Sequence, residues 1–294
     1  MAKFVINEEF LQQAESLQML IRNNIAGMFG GNHQTRNFGS SCEFADYRDY
    51  MDGDDTTKID WNAYARFDKL YLKLYLDERQ MHTKIYIDAS RSMEYGDARK
   101  ADQALRLAAF LAYLSVCEMD KVSIYVIHGK EVEEVISNMV GKEAYLSSIG
   151  KLNDIVFDGD SFISDAILPT KVGYGDGATI IISDFLTDND YEGAIDLLTE
   201  KKRDIFCLQV LSNEELHPQF RGRMHLFDSE TDGLEYRRNI DRTIAQAYKE
   251  ALAYVTGRIQ SYCAVRGATY LMVEAEDSIV NIFFDKLVGL GVLK

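Results

Sequence analysis

The chain has 294 residues, a formal net charge of −15 and only two prolines. This length holds one large domain, or one domain with a smaller companion, and no Pro- or Ser-rich linker separates beads on a string. Strong acidity repels phosphate backbones and argues against a general nucleic-acid binder, whereas it suits a divalent cation or a partner with a basic patch.

The first elements follow from spacing. Phe10, Leu17, Leu20 and Ile21 recur as on an amphipathic helix, with Asn7 placed to cap it and Gly27 to end it. Acidic and amide residues interrupt this stretch, so it neither spans a bilayer nor matches a signal peptide. Gly30, Gly31, Asn32 and Gly39 mark a loop. A segment of acidic turns and aromatic runs follows. In it Leu70, Leu72, Leu74 and Leu76 alternate with Tyr71, Lys73 and Tyr75, the period of a strand. Residues 1–82 are expected to form an N-terminal helix and β-rich segment packed on a main domain of residues 83–294.

From Thr83 the pattern changes to strands and helices in turn. "TKIYIDAS" reads as a strand, "DARKADQALRLAAFLAYLSVCEMD" as a helix, and "KVSIYVIHG" as a strand. "GKEAYLSSIGKL" and "SFISDAILPT" open short helices. "ATIIISDF" is an almost wholly apolar strand, as expected where both faces of a sheet are covered. "DYEGAIDLLTEKK" predicts a helix, "DIFCLQVLS" a strand, and "MHLFDSETDGLEYRR" a hairpin. A long helix is expected from about Asn239 to Val265, stopping at Gly267. "ATYLMVEA" and "SIVNIFFDKLVGLGVL" give a last strand and helix. Such alternation implies an α/β fold with a doubly wound, mostly parallel sheet and helices on both faces. Ligands of such sheets bind at the carboxyl ends of the strands.

Three loops at those ends carry oxygen ligands. Asp88-Ala89-Ser90-Arg91-Ser92 follows one apolar strand, and Asp184 ends another. Between them, "FDGDSFISDAI" offers Ser161, with Asp158, Asp160 and Ser164 close by. Hard oxygen donors of this kind suit Mg²⁺ or Mn²⁺ rather than Zn²⁺. Two neighbouring carboxylates repel unless a cation lies between them. Ser161 reads either as a metal hydroxyl or as a helix N-cap with solvated Asp neighbours.

Asp-x-Ser-x-Ser after a first strand, a later hydroxyl loop and a final Asp resemble the metal-ion-dependent adhesion site of von Willebrand factor A domains. Upstream, Glu43-Phe44, Tyr47-Arg48, Gly53-Asp54-Asp55, Ile59-Asp60-Trp61 and Ala65-Arg66 resemble the bacterial family called domain of unknown function 58. The resemblance covers nearly the whole chain. It implies a von Willebrand factor A-like fold and a metal held by Asp88, Ser90, Ser92, Ser161 and Asp184. It also implies an open metal position for an acidic residue of a protein partner. Asp160, which stands where the family often has Gly, would face that partner with Ser164 and Arg91; Ser164 is the substitute ligand if Ser161 fails. Members of the family resemble companions of MoxR-type AAA+ ATPases, so the partner implied is such an ATPase or its client. Arg48, Asp54, Asp55, Asp60, Trp61 and Arg66 form either a structural ion-pair network or a partner surface, with Trp61 expected in the core.

Other signals are ordinary. The four cysteines are widely spaced, which fits free thiols in a reducing, cytoplasmic setting. The five histidines show no metal spacing. "GYGDGATI" precedes a strand and reads as a turn, not a phosphate loop. No Gly-x-Ser-x-Gly elbow occurs. The expectation is a non-catalytic binding module. The alternative is a Mg²⁺-dependent phosphatase or hydrolase with Asp88 as nucleophile, although a dehalogenase-like site needs a second Asp where Ser90 stands.

Overall fold

A computed structural model describes residues 5–25, 44–75, 80–95, 99–170, 172–175, 177–186, 190–218, 222–227, 235–240 and 242–282. The chain divides into two compact units, residues 1–20 with 81–293, and residues 21–80.

In the larger unit, helix α1 (Glu8–Ile25) starts where Asn7 accepts the Phe10 N–H at 2.9 Å. Its Phe10, Ala14 and Leu17 are buried at helical spacing. The six-stranded sheet has the order β10-β7-β6-β3-β4-β5. Here β3 is His82–Asp88, β4 Lys121–His128, β5 Glu131–Met139, β6 Ala178–Ser183, β7 Asp204–Leu211 and β10 Thr269–Glu274. All neighbours pair in parallel except β4 with β5, which are antiparallel. The expected fold class is therefore the one observed. The runs Ile85–Ile87 and Ile180–Ile182 are buried on both faces, which is why these strands read as unbroken apolar stretches.

Helices cover both faces. On one, α3 (Lys100–Cys117) packs on β3, β4, β6 and β7, with Ser115 donating to Thr83 at 3.3 Å. Ala101, Ala104, Leu105, Ala108 and Ala112 of α3 are buried, and so are Lys100, Asp102, Gln103, Leu107, Phe110 and Tyr113. The helix α4 (Gly141–Ser148) covers its outer side, and Tyr145 donates to the Ala109 carbonyl at 3.0 Å. On the other face lie α5 (Ile163–Ile167), α6 (Glu192–Glu200) and α8 (Arg242–Val265). Their Ile163, Ile195, Leu198 and Ile259 pack with Tyr86, Ile181 and Cys207 of the strands in one core.

Three differences from the sequence reading have physical causes. The edge strand β5 exposes Glu131, Glu133 and Glu134, so its composition hides its period. The four-residue α7 (Asn213–Leu216) is held by a capping box between Ser212 and Glu215. The hairpin of β8 (Gly222–Phe227) and β9 (Glu235–Ile240) is as expected, but Asn239 pairs with Arg223 within it. The long helix therefore starts at Arg242 rather than near Asn239. It does end before Gly267, whose φ of +71° lies in the left-handed region. The last helix, α9 (Ile279–Asn281), is described only at its start; the rest of that expected helix, like Cys42 and His33, lies outside the described residues.

The smaller unit contains β1 (Phe44–Asp49) antiparallel to β2 (Tyr71–Tyr75) and, between them, α2 (Trp61–Phe67). Leu72 is its buried strand residue, as the Leu/Tyr alternation predicts. Among the described residues, no helix of the chain is long and apolar enough to cross a membrane.

Candidate metal and partner site

Parallel pairing builds the site. Ile87 of β3 stands beside Ile182 of β6, so the next residues, Asp88 and Ser183, emerge side by side at the carboxyl end of the sheet. The Ser183 hydroxyl donates to Asp88 Oδ2 at 2.5 Å. Asp88 Oδ1 accepts the Ser90 N–H at 2.8 Å, which folds the turn back over the strand. Ser90 Oγ lies 3.0 Å from Ser92 Oγ, and Ser92 donates to Asp184 Oδ2 at 2.8 Å. Thus Asp88, Ser90, Ser92 and Asp184, drawn from two loops, form one continuous chain of oxygen atoms.

The third loop is tied to the first by its backbone. Asp158 donates to the Ala89 carbonyl at 2.9 Å, and Arg91 donates to the Gly159 carbonyl at 2.8 Å. Ser161 is not the N-cap of α5. The residue flanking that helix is Phe162, with no side-chain cap. Ser161 instead forms a parallel bridge with Gly129 at the end of β4, where Gly129 donates to the Asp160 carbonyl and accepts from Phe162 at 2.8 Å each. The Ser161 hydroxyl oxygen is buried, with no hydrogen-bond partner among the described residues. Ser164 is buried too, but its Oγ accepts the Ala194 N–H of α6 at 3.0 Å. It is therefore spent on packing α6 and is a poor substitute ligand. Asp160 and Arg91 are exposed beside the loop.

The electrostatics of this end are dominated by a residue that the sequence reading misses. Lys100 opens α3 with its side chain 1% exposed, and its ammonium donates to Asp184 Oδ2 and Glu215 Oε1 at 2.7 Å each. Burial alone would lower its pKa, but Asp184 and Glu215 together raise it. Asp88 shifts up as well, first through burial and then through repulsion from Asp184. Asp190, ahead of α6, is pushed to about 6, mainly by burial. Two carboxylates, Asp184 and Glu215, thus share one buried ammonium, and Asp88 stands beside Asp184 without it.

This donor set fits a hard divalent cation. Such an ion would satisfy the unmatched Ser161 hydroxyl and relieve the repulsion between Asp88 and Asp184. Among the described residues no three His, Cys, Asp or Glu side chains converge as metal ligands. Both oxygens of Asp88 accept hydrogen bonds, from the Ser90 N–H and the Ser183 hydroxyl.

The upstream motif lies in the smaller unit, where several of its residues join a hydrogen-bond and ion-pair network. Arg48 pairs with Asp54 at 2.7 Å. The Asp54 pKa is lowered by the Met51 N–H and by Arg48. Asp55 accepts from the Thr57 hydroxyl and N–H at 2.6 and 3.0 Å. Asp60 caps α2 through the Asn62 and Ala63 N–H groups and also accepts from the Tyr47 hydroxyl at 2.7 Å. These bonds, the tyrosine's foremost, hold its pKa at about 2. Arg66 is exposed in the last turn of α2, with no ion pair among the described residues. Trp61 is not in the core. It is 61% exposed and meets Tyr64 edge to face, in a seven-residue helix none of whose residues is buried.

A family model described as protein of unknown function DUF58 matches residues 46–256. Uncharacterized proteins of Mycobacterium tuberculosis and Mycobacterium bovis are 22% identical over 245 residues, covering 81% of this chain and 76% of theirs. Similar solved structures include an aerotolerance-related membrane protein of Bacteroides fragilis carrying multiple mutations to serines. It is 14% identical, with a TM-score of 0.39, over 71% of this chain and 97% of that one. Another is the SpRpn10 VWA domain, 10% identical, with a TM-score of 0.39, over 71% and 95%.

Proposed function

Since the chain belongs to the family of proteins of unknown function DUF58, we propose that it is a non-catalytic, metal-dependent protein-interaction module. Asp88, Ser90, Ser92, Ser161 and Asp184 would hold Mg²⁺, or Mn²⁺. The cation would supply a Lewis-acidic point at which an acidic side chain of a partner is captured. Asp160 and Arg91 lie beside this point, and Ser164 holds α6 behind it. The partner proposed, on family resemblance, is a MoxR-type AAA+ ATPase or its client, for which this chain would act as an adaptor.

The observation that carries the reading is the Ser92 to Asp184 hydrogen bond at 2.8 Å, set against a Ser161 hydroxyl that is buried and unmatched. Two loops supply the hydrogen-bonded oxygens of Ser92 and Asp184, and the loop of Ser161 is tied to the first of them through Asp158 and Gly159, which supports a shared ligand. Among the described residues at this end of the sheet no general base is seen beside a free nucleophile, and we take this as support for binding over turnover.

The test is affinity capture of partners from a lysate of the source cell, with Mg²⁺ and with a chelator. The captured ATPase should be lost with chelator and with Asp88→Ala. Identical capture under all conditions overturns the metal dependence. Robust Mg²⁺-dependent phosphatase turnover, abolished by Asp88→Asn, would overturn the non-catalytic reading.

A further inference from the structure

Lys100 occupies a position that its own helix disfavours. It is the first residue of α3, where the helix dipole is positive and a cation is repelled. It is nonetheless buried there, so the carboxylates rather than the helix fix its place. Glu215 is itself immobilised, since its second oxygen accepts the Ser212 N–H at 2.8 Å and hydroxyl at 3.1 Å. The ammonium is thereby clamped against Asp184 Oδ2, the same oxygen that accepts from Ser92.

We propose that Lys100 sets the cation affinity of the site: its tethered charge opposes the divalent ion beside Asp184. Binding is thereby held weak until an acidic partner group adds its own charge. The inference rests on the reading of this end of the sheet as a divalent-cation site. Lys100 donates to Asp184 at 2.7 Å, and Ser92 lies 2.8 Å beyond that oxygen. A cation on the Ser92 hydroxyl, at an ordinary metal–oxygen length of about 2.1 Å, is then within about 8 Å of the ammonium. Even at the dielectric of water, that separation weakens binding roughly fivefold, and burial increases the effect. The partner's carboxylate offsets this repulsion, so metal and partner bind with positive coupling.

The experiment is a calorimetric titration of the full chain with Mn²⁺, at fixed pH and ionic strength. Lys100→Met should bind Mn²⁺ on the order of tenfold more tightly than the native protein, and Lys100→Arg should stay within about threefold of it. Circular dichroism melts establish that each variant is folded. Because Lys100→Met strands two buried carboxylates, Glu215→Gln provides the independent arm. Removing that negative charge should weaken Mn²⁺ binding several-fold. Native binding with unchanged or weaker affinity in Lys100→Met overturns the proposal alone, and so does unchanged affinity in Glu215→Gln. Absence of Mn²⁺ binding to every form overturns both the proposal and the cation site on which it rests.

Discussion

The Ser183 hydroxyl donates to Asp88 at 2.5 Å, joining the carboxyl ends of β6 and β3, 95 residues apart in the chain. The bond reaches a carboxylate that is itself buried, at 4% exposure. Bonds to charged groups in such settings contribute about 1.5–3 kcal/mol. Ser183→Ala is therefore expected to lower the unfolding free energy by roughly that amount, read from urea denaturation. It should also push the Asp88 pKa higher still, because the hydroxyl favours its charged form.

Ser161→Ala separates a waiting ligand from a helix cap. A hydroxyl without a hydrogen-bond partner contributes little to the fold, so stability should change by less than about 0.5 kcal/mol. Loss of an N-cap would cost about 1 kcal/mol. Added Mg²⁺ should raise the Tm of the native protein, and of Ser161→Ala less. Paired thermal melts with and without the ion check both statements.

The pH dependence of stability has two opposed parts in metal-free protein. Asp190 has a folded pKa of about 6, above its usual 3.8. Its contribution is fully present below 3.8 and is lost as pH rises through 6. Asp88 acts in the same sense. Asp60 is held at about 2, so its contribution is present above 3.8 and is lost as pH falls toward 2. Asp190→Asn should flatten the decline between pH 4 and 6 by on the order of 1 kcal/mol, allowing for solvent screening. Urea midpoints across that range, for native and variant protein, give the comparison.

Trp61 is the only tryptophan, so its surroundings can be read without interference. At 61% exposure its emission should be that of a hydrated indole, quenched readily by acrylamide. Trp61→Ala should change stability by less than about 0.5 kcal/mol. A blue-shifted, unquenchable emission would contradict this placement.

The central strands are legible in the sequence because they are covered on both faces. Ile85–Ile87 and Ile180–Ile182 leave no competing period. The site is legible for a related reason: Asp88 and Asp184 stand where those runs stop, and parallel pairing makes such ends neighbours. Ser161 was legible as a residue but not in its role, since a serine ahead of a short helix reads equally as a cap. The structure removes the cap reading, since Phe162 flanks the helix and Ser161 bridges Gly129. Lys100 was not legible at all. Its partner Glu215 lies 115 residues away, and nothing local to a lysine at a helix start points to a buried carboxylate. The Ser-x-x-Glu spacing of Ser212 and Glu215 was a usable signal for α7. Trp61 misleads because aromatic bulk favours burial on average, while a seven-residue helix has few covered positions.

The outer strand of the sheet has a consequence for crowded or concentrated solutions. The edge strand β5 faces outward along one rim, with Glu131, Glu133 and Glu134 exposed. Two copies meeting rim to rim would set these like charges against each other, so the backbone groups left open there do not template a second sheet. The same glutamates that conceal β5 from a reading of hydrophobic period are thus what keep its edge from self-assembly.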